Sequence, residues 1–359
     1  MFVGHALLAF GLATLVADWR GWSARRALTL GLVAGAFAAI PDADMIYTVV
    51  ALDVSRLSAD TLRQPSVFWD ASRAIHRSIT HSLLISLAAG PAFGAWAAGT
   101  STSRGWLAVR AVASVILLSL IWAAWVYSGL AGAIVVGTFV AAGLVIARLA
   151  RTRTDLSGLT IALVATAGLL SHPWGDLVTG DPPRLLYPLD LHVFEQTVLL
   201  HTDPTVHLLG AFALELAVIW LAAFAIARVA GRSLTALFER RALIGAVYGV
   251  AAIVLTPPTL EVSYHFVFTI LGLGLLVGVF SITANPVTRL LRQQPRLRRH
   301  SLARQDAGSL RRSWLTSASI DLDGFLARYP SPFEAAFAAL GGVTVALCSY
   351  GAVYVLVVG

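Results

Sequence analysis

With 359 residues, 57% of them hydrophobic and only 13% charged, and a mean hydropathy of +0.77, the chain is a polytopic membrane protein and not a soluble globular domain. Its formal charge of +7 rests on 26 basic residues that are all arginine; in a membrane protein these set topology and touch anionic headgroups, so nucleic-acid binding is not expected. The single cysteine, Cys348, excludes an intramolecular disulfide and a thiolate metal cluster.

Apolar runs separated by polar punctuation predict about ten spans, at 1–17, 27–40, 79–98, 107–127, 130–150, 157–172, 206–228, 241–256, 263–283 and 333–358. The runs are continuous, not alternating, and unpaired backbone is prohibitive in lipid, so the expected fold class is an all-α polytopic membrane helical bundle. Before the first span there is no basic n-region, and arginines follow it where a cleavage site would stand, so a cleavable leader is not expected. The segments 18–26, 99–110, 148–156, 228–241 and 284–332 hold 21 of the arginines. The opposite side holds Arg56, Arg63, Arg73, Arg77 and Arg184. The excess predicts a cytoplasmic face for the first set, with both termini outside a multi-pass plasma-membrane protein. The expected division is a domain over 1–205, then C-terminal membrane helices over 206–359 with a basic loop at 284–332 that lies on headgroups.

Polar clusters interrupt the first half of this map. His5 lies in the first span, Pro41-Asp42-Ala43-Asp44 follows the second, His76-Arg77-Ser78-Ile79-Thr80-His81-Ser82 enters the third, and His172-Pro173-Trp174-Gly175-Asp176 closes the sixth. All fall at span ends on the arginine-poor side, so four helices converge there. Ionisable groups at membrane depth are costly and persist where they pair or bind an ion. Singly, His5 is a headgroup contact and Asp42 and Asp44 are helix-end caps; jointly, the clusters point to a divalent-metal site. Imidazole and carboxylate donors suit zinc first, with manganese or iron as alternatives, and one to three ions.

His172 and Asp176 share a face if the chain is helical there, although Pro173 removes a backbone donor and favours a kink. Of Asp42 and Asp44, either one ligates while the other supports a ligating histidine, or an irregular backbone lets both reach metal. Ser78 is the expected N-cap of a helix beginning near Ile79, with His81 in its first turn. Free amides at that helix start, beside Arg77 and Ser78, would form an anion-binding corner for a phosphoryl group. His192, His201, Asp203 and His207, in or just after the 177–205 loop, are expected to be surface groups, and Glu215 in the seventh span is either a buried polar contact or a further ligand; Glu215 and His207 are kept as additional candidate ligands.

The early Gly4-His5, then PDxD, HRxxTHS and HxxxD, resembles the membrane-bound metal-dependent hydrolases of bacteria and archaea. These are the YdjM-like or LexA-binding inner-membrane hydrolases, a domain of unknown function. The matching residues are Gly4, His5, Pro41, Asp42, Asp44, His76, Arg77, Thr80, His81, Ser82, His172 and Asp176, with Thr179 and Leu186-Tyr187-Pro188 as the usual continuation. The resemblance covers roughly residues 1–200 and departs at Pro173 and Trp174, where aliphatic residues are more usual. A remoter similarity links these ligand types to the zinc phospholipase C and nuclease superfamily.

The expected function is a metal-dependent hydrolase, its site opening outward onto a lipid phosphate or other phosphoester. His5, Asp42, Asp44, His81, His172 and Asp176 are the metal ligands, and Asp44, His76 and Arg77 act in catalysis. Membrane lipid and the phosphoester are the expected partners. The alternative is a non-catalytic metal-binding or metal-transport protein, although transporters usually place ionisable groups near the midplane in both halves of the chain.

Overall fold

A computed structural model describes residues 2–45, 77, 79–98, 103–232, 240–283 and 330–358, and every regular element among them is helical. The order is α1 (Phe2–Trp19), α2 (Ala24–Ala39), a 3₁₀ turn (Pro41–Met45), α3 (Leu83–Ala98), α4 (Arg104–Arg153), α5 (Gly158–Ser171) and a second 3₁₀ stretch (His172–Val178). There follow α6 (Pro204–Val229), a third 3₁₀ stretch (Arg240–Val250) continued by the α-turn Ala251–Val254, α7 (Tyr264–Thr283) and α8 (Pro330–Val353).

Six helices among the described residues are long and apolar enough to cross a membrane: Ala24–Met45, Arg104–Arg153, Gly158–Val178, Pro204–Val229, Tyr264–Ser281 and Glu334–Val358. Val3–Trp19 and Leu83–Ala98 are apolar but shorter. Ten full-length spans are therefore not what the described residues contain, for two physical reasons. The run near 241–256 winds largely as a 3₁₀ helix. The runs at 107–127 and 130–150 are arms of one element, α4, broken at Gly129 (φ 65, ψ −160), a conformation open only to glycine. The arms double back. A Cβ on Gly132 would stand 2.7 Å from the Ala124 carbonyl oxygen, although eight residues of unbroken helix would set the two α-carbons about 12 Å apart along the axis.

The described residues form two compact units, one over 1–234 and 258–263, the other over 235–257 and 264–359. α6 belongs to the first, because it runs parallel to α1: Gly11 packs on Leu221 and Ala222, and Asp18 pairs with Arg228 at 2.7 Å. In that unit the core is a ladder of rings and small residues. Phe93 of α3 lies between Phe37 of α2 and Phe139 of α4, at centroid distances of 5.8 and 6.0 Å. Gly143 leaves the space that the Phe93 ring fills. Gly90 and Gly94 bring α3 against the backbone of Thr166 and Ala162 on α5, the close approach that small residues permit between helices in lipid.

Sequence order then dictates where the polar clusters go. α1 and α6 start at one end of this unit, α2 and α5 finish there, and α3 begins there, so the segments carrying His5, Asp42, His81 and His172 meet. The tip of the α4 hairpin reaches the same end, with Ser128 hydrogen-bonded to the Tyr187 hydroxyl at 3.2 Å.

In the second unit the 3₁₀ stretch, α7 and α8 pack together. Gly245 abuts the Gly342 carbonyl, Arg241 donates to the Ser281 carbonyl at 3.0 Å, and Tyr248, Phe266 and Tyr350 form an aromatic cluster.

Candidate metal centre

Four chain segments deliver the cluster. His5 projects from the first turn of α1 and is buried. Pro41 ends α2 and starts a 3₁₀ turn; with about three residues per turn, Asp42 and Asp44 point to different sides. Pro173 lies at the start of the second 3₁₀ stretch, where a missing N–H costs little, so the chain tightens after α5 without breaking inside it. His172 and Asp176 stay on one face, with Nε2 and Oδ2 3.8 Å apart.

Among the described residues, the two most buried imidazoles, His81 and His172, face each other through Nε2 atoms 3.0 Å apart. His172 Nδ1 lies 2.7 Å from the Ala38 carbonyl, an acceptor only, so Nδ1 carries the proton and Nε2 presents a lone pair. His81 Nδ1 lies 3.1 Å from Thr80 Oγ1 and 3.4 Å from Asp44 Oδ2. The Thr80 hydroxyl donates to the same Asp44 oxygen at 2.9 Å, so it accepts from His81 Nδ1–H, and in the neutral imidazole Nε2 is the nitrogen that offers a lone pair. Two ring nitrogens this close need a positive charge between them, either a proton shared as an N–H···N hydrogen bond or a metal cation bound by both.

Carboxylates complete the setting. Asp176 Oδ2 stands 3.2 Å from His81 Nε2, without an aligned hydrogen bond, and Asp42 Oδ1 stands 3.5 Å from His172 Nε2. Around zinc with bonds of about 2.0–2.1 Å, tetrahedral donors sit about 3.3 Å from one another, so separations of 3.0 to 3.8 Å fit one ion. His5 Nε2 approaches the other oxygen, Asp176 Oδ1, at 3.3 Å. The donor atoms fall into two triads within 4.8 Å, His5 with His172 and Asp176, and Asp42 with His81 and His172. The triads share His172, whose other nitrogen is taken by Ala38, so they describe one pocket. With neutral imidazoles the cluster holds the carboxylates Asp42, Asp44 and Asp176 against the Arg77 guanidinium, an excess negative charge that a divalent cation balances.

Residues 1–256, more than half of the sequence, match the YdjM inner membrane protein family. The chain belongs to this family. The match runs beyond the first 200 residues that carry the motif resemblance, and its description names a membrane location and no reaction. No curated protein and no solved structure matches the chain.

In this YdjM-family chain the two aspartates of PDxD have different neighbours. Asp42 faces His172, while Asp44 lies behind His81, accepts from Thr80, and accepts from the Arg77 backbone N–H at 3.3 Å. Asp44 is in neither donor triad. The expected helix start at Ile79 is four residues too early. α3 begins at Leu83, and Ser82 caps it, its Oγ accepting from Leu84 and Ile85 N–H at 3.2 and 3.4 Å and donating to the Tyr187 carbonyl at 2.7 Å. His81 therefore precedes the helix. The Leu83 N–H bonds the Leu185 carbonyl at 2.8 Å, so the first amides of α3 are occupied and no anion corner is open there.

Arg77 is also otherwise engaged. NH1 donates to the carbonyls of Asp176 and Asp181, and NH2 donates to Thr179 Oγ1 and pairs with Asp176 Oδ1 at 3.3 Å. Its φ of 64 lies in the left-handed region that side chains resist, and the clamp on both sides of Asp176 holds it there. Arg77 orients Asp176; its terminal nitrogens are taken by these contacts and are not free to bracket a phosphoryl group. His76 and Ser78 lie outside the described residues.

Glu215 and His207 are in neither donor triad. The parallel α1–α6 register sets Glu215 level with His5, half-buried. His207 is not the surface group expected but is buried, because it lies in the first turn of α6 with its Nδ1 accepting from the Leu200 N–H at 3.0 Å, which fastens the loop ahead of α6. His192 and His201 are exposed, and Asp203 caps α6 through Val206 N–H at 2.8 Å. The sequence reading missed the Ala38 carbonyl, which no residue type announces. It also missed the role of Thr80, for which a hydroxyl next to His81 was the available signal.

Proposed function

We propose that this protein is a divalent-metal-dependent membrane hydrolase acting on a lipid phosphoester. The observation that carries the proposal is the pair of imidazole Nε2 atoms facing each other at 3.0 Å beside two carboxylate oxygens. An ion held there supplies Lewis-acid activation of water near neutral pH. The chain's own part is arrangement: Ala38 and Asp44 with Thr80 fix the tautomers of His172 and His81, and Arg77 fixes Asp176. Asp42, with 15% of its side chain exposed, is the most open of the ligands and borders the way in. Zinc fits the donor set best, with manganese and iron as alternatives.

Ten crossings are proposed: α1, α2, α3, the two arms of α4, α5 and α6, then the 240–254 segment, α7 and α8. Arginines cluster at the unit end away from the metal cluster, as at Arg228 beside Asp18 and Arg110 over Trp96, which supports a cytoplasmic face there. The metal cluster and both termini then lie on the extracytoplasmic side of the inner membrane.

The near-complete burial of His81 and His172 favours one other reading, a protein that holds or passes a metal without hydrolysis. Purified protein in nanodiscs, assayed for bound metal and for phosphate or headgroup release from lipid phosphates, separates the two. Metal-dependent release abolished by His172→Ala is the expected result. Stoichiometric metal with no release from any phosphoester would establish the second reading instead.

A further inference from the structure

The loop between His172–Val178 and α6 is built unlike an ordinary surface connection. Its backbone is tied to the metal-bearing corner: Arg184 N–H donates to the Arg77 carbonyl at 2.9 Å, Val198 N–H to the Leu177 carbonyl at 2.8 Å, and Thr197 Oγ1 to the Gly180 carbonyl at 2.8 Å. His207 fastens its far end at Leu200. Yet the outward side of this well-anchored segment is aliphatic. Leu189, Leu191, Val193, Leu199 and Leu200 are all exposed, Leu191 at 58% and Leu199 at 65%, with Asp190, His192 and Glu195 between them.

Both ends of the loop run into helices that are candidate spans, Gly158–Val178 and Pro204–Val229, so the loop sits at the edge of the hydrocarbon. Trp174, exposed in the same 3₁₀ stretch that carries His172 and Asp176, donates its Nε1–H to the Leu170 carbonyl and turns its ring outward, the behaviour of an interfacial tryptophan. Exposed aliphatics beside acidic groups do not suit electrostatic adsorption to anionic headgroups; they suit insertion among acyl chains, with the polar residues at headgroup level.

We infer that residues 189–200 are a lipid-inserted wall of the metal centre, along which a membrane-resident, acyl-bearing phosphoester reaches the cluster from within the leaflet. The insertion stands on the loop alone; the substrate class rests on the hydrolase reading above.

Nitroxides on Leu191→Cys and Leu199→Cys, in the full-length Cys348→Ala protein in nanodiscs, report the environment through collisions with oxygen and with a water-soluble nickel chelate. Oxygen-dominated relaxation at both positions is expected. Dominance of the nickel chelate would overturn the insertion, and so would protection from both reagents, which would mean that protein, such as a second copy, covers the face. For the substrate, dioleoyl and dihexanoyl phosphatidic acid are compared on the wild type, with a preference of at least tenfold expected for the long-chain ester. The Leu191→Glu/Leu199→Glu variant is expected to lose at least tenfold of the long-chain activity at unchanged metal content. A preference for the short-chain ester, or an unaffected variant, would overturn the leaflet route. If neither ester is cleaved the hydrolase reading fails, and the nitroxide depths still decide the insertion.

Discussion

Asp44→Asn isolates the charge behind His81. One oxygen, Asp44 Oδ2, takes the Thr80 hydroxyl at 2.9 Å, the Arg77 N–H at 3.3 Å, and lies 3.4 Å from His81 Nδ1. An asparagine amide oxygen can occupy that place, so the donors stay satisfied and the fold is kept, while the negative charge that makes the imidazole a better donor to metal is lost. Removing such a support costs roughly ten- to a hundredfold in metal affinity, about 1.4–2.7 kcal/mol. The assay is zinc competition against a chromogenic chelator on detergent-purified protein, with thermal melting alongside. The expected result is that loss, with a melting temperature near wild type in the metal-free protein. Wild-type affinity in Asp44→Asn would refute the support role, and so would a loss as complete as that of His172→Ala, which would make Asp44 a direct ligand.

Arg77→Lys keeps the charge but not the fork across Asp176, Thr179 and Asp181; metal affinity in the same competition is expected to fall about tenfold, and an unchanged value would remove Arg77 from the positioning of Asp176. Ser82→Ala removes a buried cap and the bond to the Tyr187 carbonyl, and should lower stability by about 1–2 kcal/mol in denaturant unfolding in mixed micelles. Gly94→Ala places a Cβ within 2.4–2.5 Å of Ala162 on α5, and α3 must move away; a loss of about 1–3 kcal/mol is expected, and a melting temperature equal to wild type would contradict the packing.

Much of the site was legible because its chemistry is costly in lipid. His5, Asp42, His81, His172 and Asp176 stood out as polar residues at the ends of apolar runs, and the structure brings them to one pocket. Roles set by local backbone were not legible. The 3₁₀ turn decides which aspartate of PDxD looks forward, and periodicity over five residues cannot distinguish it from an α-turn. Ser78 and Ser82 are equally good caps by type; the contact of Ser82 with Tyr187, more than a hundred residues away, makes it the cap. Arg77 reads as an anion binder until the carbonyls of Asp176 and Asp181 appear in its reach, and backbone oxygens leave no trace in composition. In the fold, the apolar runs located most of the helices, while Gly129 turned two of them into one doubled-back element.

The clasp of His172 by the Ala38 carbonyl sets an order of events during biogenesis. The ligand reaching furthest along the sequence, Asp176, emerges from the ribosome only after α1 to α5, and His172 is oriented only once α5 has docked on the end of α2. A nascent chain therefore offers isolated imidazoles and carboxylates but no finished cage, and any ion held there would have to be acquired after the fifth helix is threaded and seated. Metal bound to the purified protein would thus certify that the amino-terminal helices have been assembled in their proper arrangement.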